Sequence, residues 1–201
     1  MSASRLDTQL AAELADIAAA GLTRRRRVLD SPAGRIARVD GQEVLNFASN
    51  DYLGLAGNAE IAQALADGAL RWGAGSGASH LVSGHLTPHD QLENEIAAFT
   101  GFERTLTFST GYLANLAVTP TLAGRGDAVF ADKLNHASLI DAMQLAKANG
   151  AEVQRYPHND VAALERQLAA SNAARKVIVT DAAFSMDGDL ADLKELVWLK
   201  K

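Results

Sequence analysis

Residues 105–138 read TLTFSTGYLANLAVTPTLAGRGDAVFADKLNHAS, and this stretch indicates the fold. A short apolar run at 105–108 leads through a Gly-containing turn into a helical pattern. A second apolar run at 128–131 leads through another turn into another helix. Strands that alternate with helices are typical of a mainly parallel sheet with helices on both faces. The sequence therefore predicts an α/β domain.

The same alternation extends in both directions from this stretch. Period-3.6 and short apolar patterns predict the following elements: strands at 152–156 and 176–180, and helices at 61–70, 87–99, 114–122, 138–148 and 161–168. In such a sheet, ligands bind beyond the carboxyl ends of the strands. Three turns are expected at that edge. The first turn contains Gly111 and Tyr112, the second contains Asn135 and His136, and the third contains Ser185.

The first 47 residues show a different pattern. Apolar residues recur there at helical spacing, at Leu6, Leu10, Leu14 and Ile17. Two short apolar segments then flank Asp40-Gly41, a dipeptide that favours a two-residue hairpin turn. We therefore predict two parts, a helix-and-hairpin arm over 1–47 and a large domain over 48–201.

Composition excludes several classes of protein. The 201 residues carry a formal charge of −5 and no cysteine, which argues against a nucleic-acid partner, disulfides and thiolate metal sites. No apolar run reaches membrane-spanning length, and the acidic amino-terminal stretch is unlike a secretion signal, so a cytoplasmic location is expected. The arginines at 24–27 fit a helix end or a small-anion contact. Arg24 is retained as a candidate functional residue.

Two other motifs have weak functional support. The glycines at 73–77 follow a helical pattern rather than a strand, so a nicotinamide-dinucleotide site is not expected. His85 and His89 are separated by a predicted helix start at Thr87-Pro88 and do not share a helical face, so no metal site is expected. His158 is interpreted as a surface residue. His136 is the histidine expected to be functional.

Five segments together resemble the α-oxoamine synthases, a family of pyridoxal-phosphate enzymes with the aspartate-aminotransferase fold (fold type I). They are SNDYLGL at 49–55, GSGASHLVSGH at 75–85, HDQLE at 89–93, STGYLAN at 109–115 and FSMDGD at 184–189. The resemblance extends from about residue 24 to 196. It implies the large domain of that fold, preceded by the amino-terminal helix and hairpin.

The resemblance also implies roles for individual residues. Backbone N–H groups of Gly111 and Tyr112 would hold the phosphate of pyridoxal 5′-phosphate. His136 would stack on the pyridine ring as the catalytic residue and also contact the substrate, and Ser185 would contact the phenolic oxygen.

Three further residues are implied to bind substrate. Arg24 would meet the substrate, although any arginine of 24–27 could take that position. Asn50 and Ser76 would lie near the acyl substrate or near a phosphate site shared across a homodimer.

Within the family, SHLVSGH at 79–85 is most similar to the branch that condenses L-alanine with a pimeloyl thioester, on coenzyme A or an acyl carrier protein, in biotin biosynthesis. One alternative is a glycine C-acetyltransferase-like relative. Another is a non-catalytic fragment that only pairs with other chains. The family's Asp-x-Ala-His segment and its cofactor-binding lysine loop do not occur in these residues. The resemblance therefore predicts an amino-terminal fragment that lacks the carboxyl-terminal domain and is inactive alone.

Overall fold

The fold is given by a computed structural model that describes residues 4–199. Backbone contacts divide the chain into two compact units, one ending at His85 and the other beginning at Leu86. The predicted division after residue 47 stays a prediction, and its outermost residues, 1–3 and 200–201, lie outside the described range.

The first unit begins with helix α1, Arg5–Ala19, as predicted. Ser4 caps it, because its Oγ accepts the Asp7 N–H at 3.1 Å while the Asp7 carboxylate accepts the Ser4 N–H at 2.9 Å. This reciprocal pair satisfies two N–H groups that the helix itself leaves unbonded. The apolar stripe of α1 is exposed; Leu14, for example, is 65% exposed.

The predicted hairpin is also present. Strand β1, Ile36–Val39, pairs antiparallel with β2, Gln42–Leu45. Asp40 and Gly41 form the turn with φ values of 51° and 83°. Two successive positive φ angles match the right-handed twist of the strands, and an Asp-Gly dipeptide tolerates them well.

Helix α2, Ala59–Trp72, follows and confirms the helix predicted at 61–70. The Asn58 side chain caps it by accepting the N–H groups of Glu60 and Ile61. The glycine-rich segment then leads to a π-helical turn, His80–Gly84. A side chain at position 84 would place its Cβ 1.8 Å from the Ala78 carbonyl oxygen, so this turn requires glycine.

The second unit contains a three-stranded parallel sheet in the order β4-β3-β5. Its elements are α3 Thr87–Thr100, α4 Gly111–Leu122, β3 Ala128–Asp132, α5 Ala137–Ala148, β4 Glu152–Tyr156, α6 Val161–Ala170, β5 Lys176–Val179, β6 Ala183–Phe184, β7 Asp189–Leu190 and α7 Leu193–Leu199. Every residue of the central strand β3 is buried. The α/β prediction is therefore confirmed.

Side chains of β3 alternate between two apolar clusters. Val129 packs with Leu139 and Met143 of α5, whereas Phe130 packs with Leu164 of α6. Because successive strand residues point to opposite faces, these clusters place helices on both faces of the sheet.

The strand predicted at 105–108 is wrong. Within the described part of the chain, no segment pairs with these residues. Thr105 and Thr107 instead bond to Glu93 of α3: the Thr105 hydroxyl donates to its carbonyl at 2.6 Å, and the Thr107 N–H donates to its carboxylate at 2.9 Å. Leu106 is 79% exposed. A strand requires a neighbouring backbone to bond with, and an alternating sequence cannot replace it.

Candidate cofactor site

The turn after β3 is tied to the end of β5. Asn135, which is 4% exposed, donates from Nδ2 to the Val179 carbonyl at 2.8 Å and accepts the Asp181 N–H at 3.2 Å. The His136 N–H donates to the Asp181 carboxylate at 2.6 Å. The turn after β3 is therefore joined to the carboxyl end of β5 by direct hydrogen bonds.

His136 caps helix α5 with its own ring. Its Nδ1 accepts the backbone N–H of Ser138 at 3.1 Å and lies 2.7 Å from the Ser138 Oγ. A nitrogen that accepts a backbone N–H carries no proton, so the neutral ring has its proton on Nε2. Ser138 is buried while His136 is exposed. The ring is thus fixed at one nitrogen and open to a ligand elsewhere.

Helix α4 joins this network through its first turns. Asn115 donates from Nδ2 to the Ser138 Oγ at 2.9 Å. The Tyr112 hydroxyl donates to the Asp141 carboxylate on α5. This hydrogen bond raises the pKa of Tyr112, because ionisation of the phenol would remove the donor and bring two negative charges together.

The amino terminus of α4 is suited to an anion. Thr110 caps the helix by accepting the Leu113 N–H at 3.2 Å. Among residues 4–199, the N–H groups of Gly111 and Tyr112 donate to no other group of the chain. A Cβ at Gly111 would meet no atom within 4 Å. Free N–H groups at the positive end of a helix, beside open space, favour a phosphate.

Ser185 lies on a different element. It begins the turn between β6 and β7, directly after the buried Phe184, and is itself exposed. None of the described hydrogen bonds joins its side chain to His136 or to α4. Its predicted contact with the cofactor ring stays a prediction.

The other predicted residues lie in the first unit. Arg24 is exposed and precedes the hairpin, and Asn50 is exposed with its Oδ1 accepting the Tyr52 hydroxyl at 3.4 Å. Ser76 is half-buried and donates to the Ala78 carbonyl at 3.1 Å. Their roles toward a substrate stay predictions.

The histidines near Pro88 follow the predicted local structure. Helix α3 begins at Thr87, so His85 precedes it and His89 belongs to its first turn, where its Nδ1 accepts the Leu86 N–H at 3.0 Å. In the first unit, the Nδ1 atoms of His80 and His85 lie 3.0 Å apart. The expectation that no metal binds stays a prediction.

His158, interpreted from the sequence as a surface residue, is half-buried, with its side chain 23% exposed, and it is paired at both ring nitrogens. Its Nδ1 lies 3.0 Å from Asp132 Oδ1, and its Nε2 lies 2.8 Å from Asp189 Oδ2. Both partners are remote in sequence, so no local pattern could reveal them. Sequence reasoning also assigned no role to Asp181, Asn115 or Ser138, although Asn115 falls within a segment that carried the resemblance.

A cavity of about 850 Å³ lies between β5, α6 and α7. Its lining is mainly apolar and includes Ile178, Leu196 and Trp198. None of the seven predicted site residues lines it.

Comparison with known proteins identifies the family. The model of the family described as aminotransferase class I and II matches residues 42–201. The chain belongs to this family.

Curated relatives are similar over nearly the whole chain. It is 82% identical to an 8-amino-7-oxononanoate synthase of Dechloromonas aromatica over 188 residues, covering 94% of this chain and 49% of that protein. It is 62% identical to the protein of the same name from Herminiimonas arsenicoxydans, covering 94% of this chain and 48% of the relative. The chain therefore spans about half the length of the curated relatives it matches.

Solved structures agree on the fold. A serine palmitoyltransferase from S. paucimobilis with a bound PLP–myriocin aldimine matches with a TM-score of 0.86 at 29% identity, covering 98% of this chain and 50% of that chain. An 8-amino-7-oxononanoate synthase from Francisella tularensis matches with a TM-score of 0.63 at 31% identity, covering 76% of this chain and 41% of that one. The predicted pyridoxal-phosphate-dependent transferase fold is confirmed.

Proposed function

We propose that this chain acts within an 8-amino-7-oxononanoate synthase, which condenses L-alanine with a pimeloyl thioester and releases carbon dioxide; residues 1–201 alone are predicted to be inactive. The observation that carries the proposal is the similarity to curated relatives of that name over nearly the whole chain. The hydrogen-bonded turns of the second unit support the proposal, because they present groups suited to one anionic, aromatic cofactor.

Pyridoxal 5′-phosphate is the proposed cofactor, and the residues present fit it. The N–H groups of Gly111 and Tyr112 would hold its phosphate, and open space beside Gly111 leaves room for the phosphate oxygens. His136 would face the ring, and Ser185 would donate to the phenolic oxygen. When bound, this cofactor supplies an electron sink for the charge left at the substrate α-carbon.

His136 is the proposed catalytic residue, and its setting suits a positioning task. Ser138 and Asn115 fix the Nδ1 side of the ring, which restricts its rotation. The aromatic face and Nε2–H remain available to a ligand. A stacked imidazole would limit the tilt of the cofactor and hold the reacting bond in one orientation.

Arg24, Asn50 and Ser76 are proposed to contact the substrates, with coenzyme A or an acyl carrier protein as the acyl carrier. A homodimer in the cytoplasm is part of the same proposal. Across residues 4–199, no helix combines the length and apolar character needed to cross a membrane.

A second candidate is an α-oxoamine synthase for another amino acid. It is favoured by one observation: the TM-scores to two serine palmitoyltransferase structures, 0.86 and 0.85, are higher than the TM-score of 0.63 to the 8-amino-7-oxononanoate synthase structure. Those structures share 29–30% identity with the chain. Because the curated relatives of the first name are far more similar in sequence, the first candidate is preferred.

Substrate competition tests the proposal. The protein produced from its own gene is supplied with pyridoxal phosphate, and release of thiol from the thioester is measured. L-Alanine with pimeloyl thioester is expected to react fastest. A preference for glycine with acetyl thioester, or for serine with palmitoyl thioester, would show that the assignment is wrong.

A further inference from the structure

A second polar cluster of the same unit lies outside the proposed cofactor contacts. Its centre is His158, in the loop between β4 and α6, with one ring nitrogen directed at Asp132 and the other at Asp189. Asp132 ends the central strand β3, and Asp189 begins β7. One imidazole therefore connects the sheet to the hairpin that carries Ser185.

The Asp132 end of this connection is rigid. Its side chain is 1% exposed. Besides His158, it accepts the Leu134 N–H at 2.8 Å and the Asn159 N–H at 2.9 Å. A buried carboxylate with three donors is held firmly in place.

The hairpin end is held by the same loop at several points. Asn159 donates from Nδ2 to Asp189 Oδ2 at 2.8 Å and to the Leu190 carbonyl at 3.3 Å. The His158 ring packs in a T-shaped arrangement with the buried Phe184, with 4.5 Å between ring centroids. Both strands of the hairpin, β6 and β7, thus contact this loop.

The geometry favours the protonated form of His158. Ionised carboxylates only accept hydrogen bonds, so both ring nitrogens can donate to them only when the ring is an imidazolium. The hydrogen bond to Asp132, followed by that to Asp189, raises the pKa of His158 above its ordinary value. These two carboxylates are the ionisable groups placed against the ring. Asp160, in the same loop, accepts the Ala163 N–H instead.

We propose that His158 is a positioning residue, which as an imidazolium between Asp132 and Asp189 fixes the β6–β7 hairpin, and with it Ser185, at the carboxyl end of β3. The consequence for the cofactor rests on the proposed function, through the predicted contact of Ser185. The holding of the hairpin rests only on the contacts above.

Two substitutions separate charge from size. His158→Gln cannot bridge two carboxylates, because one end of the amide is an acceptor, whereas His158→Arg keeps a positive charge and several donors. Asp187→Asn is the matched control, since it removes a carboxylate from the same turn without touching the cluster. The readout is amide exchange, as protection factors, at Gly188 and Ala191, whose N–H groups bond within the hairpin.

His158→Gln is expected to lower both protection factors about tenfold or more, the scale of one lost charge-assisted hydrogen bond. His158→Arg and Asp187→Asn are expected to retain them, and amides of the β3–β5 ladder report that the sheet is intact. In the unsubstituted chain, protection is present below the ordinary histidine pKa and falls as pH rises through the raised one. With arginine at 158, that decline is absent.

The proposal is overturned if His158→Gln leaves the hairpin protected, if arginine and glutamine lower protection equally, or if protection in the unsubstituted chain does not decline with pH. Should His158→Gln unfold the chain, the pH series of the unsubstituted chain decides alone. Affinity for pyridoxal phosphate is measured in parallel. If the chain does not bind pyridoxal phosphate but the protection factors of the hairpin behave as expected, the proposed cofactor site is refuted and the role of His158 is retained.

Discussion

The Nδ1 atom of His136 lies 2.7 Å from the Oγ of Ser138, and the Ser138 N–H donates to the same nitrogen at 3.1 Å. Ser138 is buried and also accepts a hydrogen bond from Asn115. One hydroxyl thus connects α4, α5 and the exposed ring. The orientation of His136 depends on a residue that a ligand need not touch.

Ser138→Ala is expected to destabilise the chain by about 1–3 kcal/mol, because it removes a buried hydroxyl and leaves the half-buried Asn115 amide without its acceptor. The free energy of unfolding in urea measures this. Ser171→Ala is the control: the Ser171 hydroxyl is half-buried and accepts one backbone N–H, from Ala173, so a smaller loss is expected. Equal losses in the two variants would contradict a special role for Ser138.

Substitutions at Gly111 are expected to change the stability of the chain and its ligand binding in opposite directions. Gly111→Asp and Gly111→Asn add side chains of nearly equal size into open space and differ by one charge. The aspartate variant is expected to be more stable than the asparagine variant by about 0.3–1 kcal/mol, because a negative charge is favourable at a helix amino terminus.

The same charge is expected to weaken binding of pyridoxal phosphate in Gly111→Asp by about tenfold or more relative to Gly111→Asn, since two negative charges would then lie close together. Titration calorimetry with inorganic phosphate and with pyridoxal phosphate measures the difference. Equal affinities would show that the phosphate does not bind at this helix end.

Local patterns were enough to predict most elements. The Asp40-Gly41 turn depends on neighbouring residues, and the structure contains it. Strands β3 and β4 also form where their apolar patterns predict them. Residues 105–108 have an equally good strand pattern but adopt no strand. Strand formation depends on a partner that is distant in sequence, and the pattern carries no information about it.

The same distinction applies to the site. Gly111 and His136 were predicted because each lies in a turn that leads into a helix and because the family resemblance implies a role for each. His158 was misjudged because its partners, Asp132 and Asp189, are 26 and 31 residues away. Its environment arises only when β3, β4 and β7 come together. A charged residue in a polar loop has the same sequence signal whether it is solvated or paired.

The core under α6 depends on Leu164. This side chain is fully buried against Phe130 and Tyr156. Leu164→Ala is expected to cost about 2–5 kcal/mol, from lost burial and from the cavity left behind. Leu145→Ala is the control, because Leu145 is 45% exposed on α5 and should lose far less. Similar urea midpoints for the two variants would show that α6 is not packed as described.

The hydrogen bond from Tyr112 to Asp141 is expected to control the titration of Tyr112 at alkaline pH. Asp141→Asn removes the charged acceptor, so the pKa of Tyr112 is expected to fall from its raised value toward that of a free phenol. The ring-carbon NMR signal of Tyr112 measures the titration. Tyr156 is the internal control, because burial is the main cause that raises its pKa, and Asp141 does not contribute.

A raised folded-state pKa of Tyr112 means that the hydrogen bond to Asp141 stabilises the fold below the unfolded-state phenol pKa, and that this stabilisation is lost as pH rises through the folded-state value. The bond joins α4 to α5, so its loss should loosen the amino terminus of α4 over that same pH range. If the titration of Tyr112 is unchanged in Asp141→Asn, the two helices are not linked at this point.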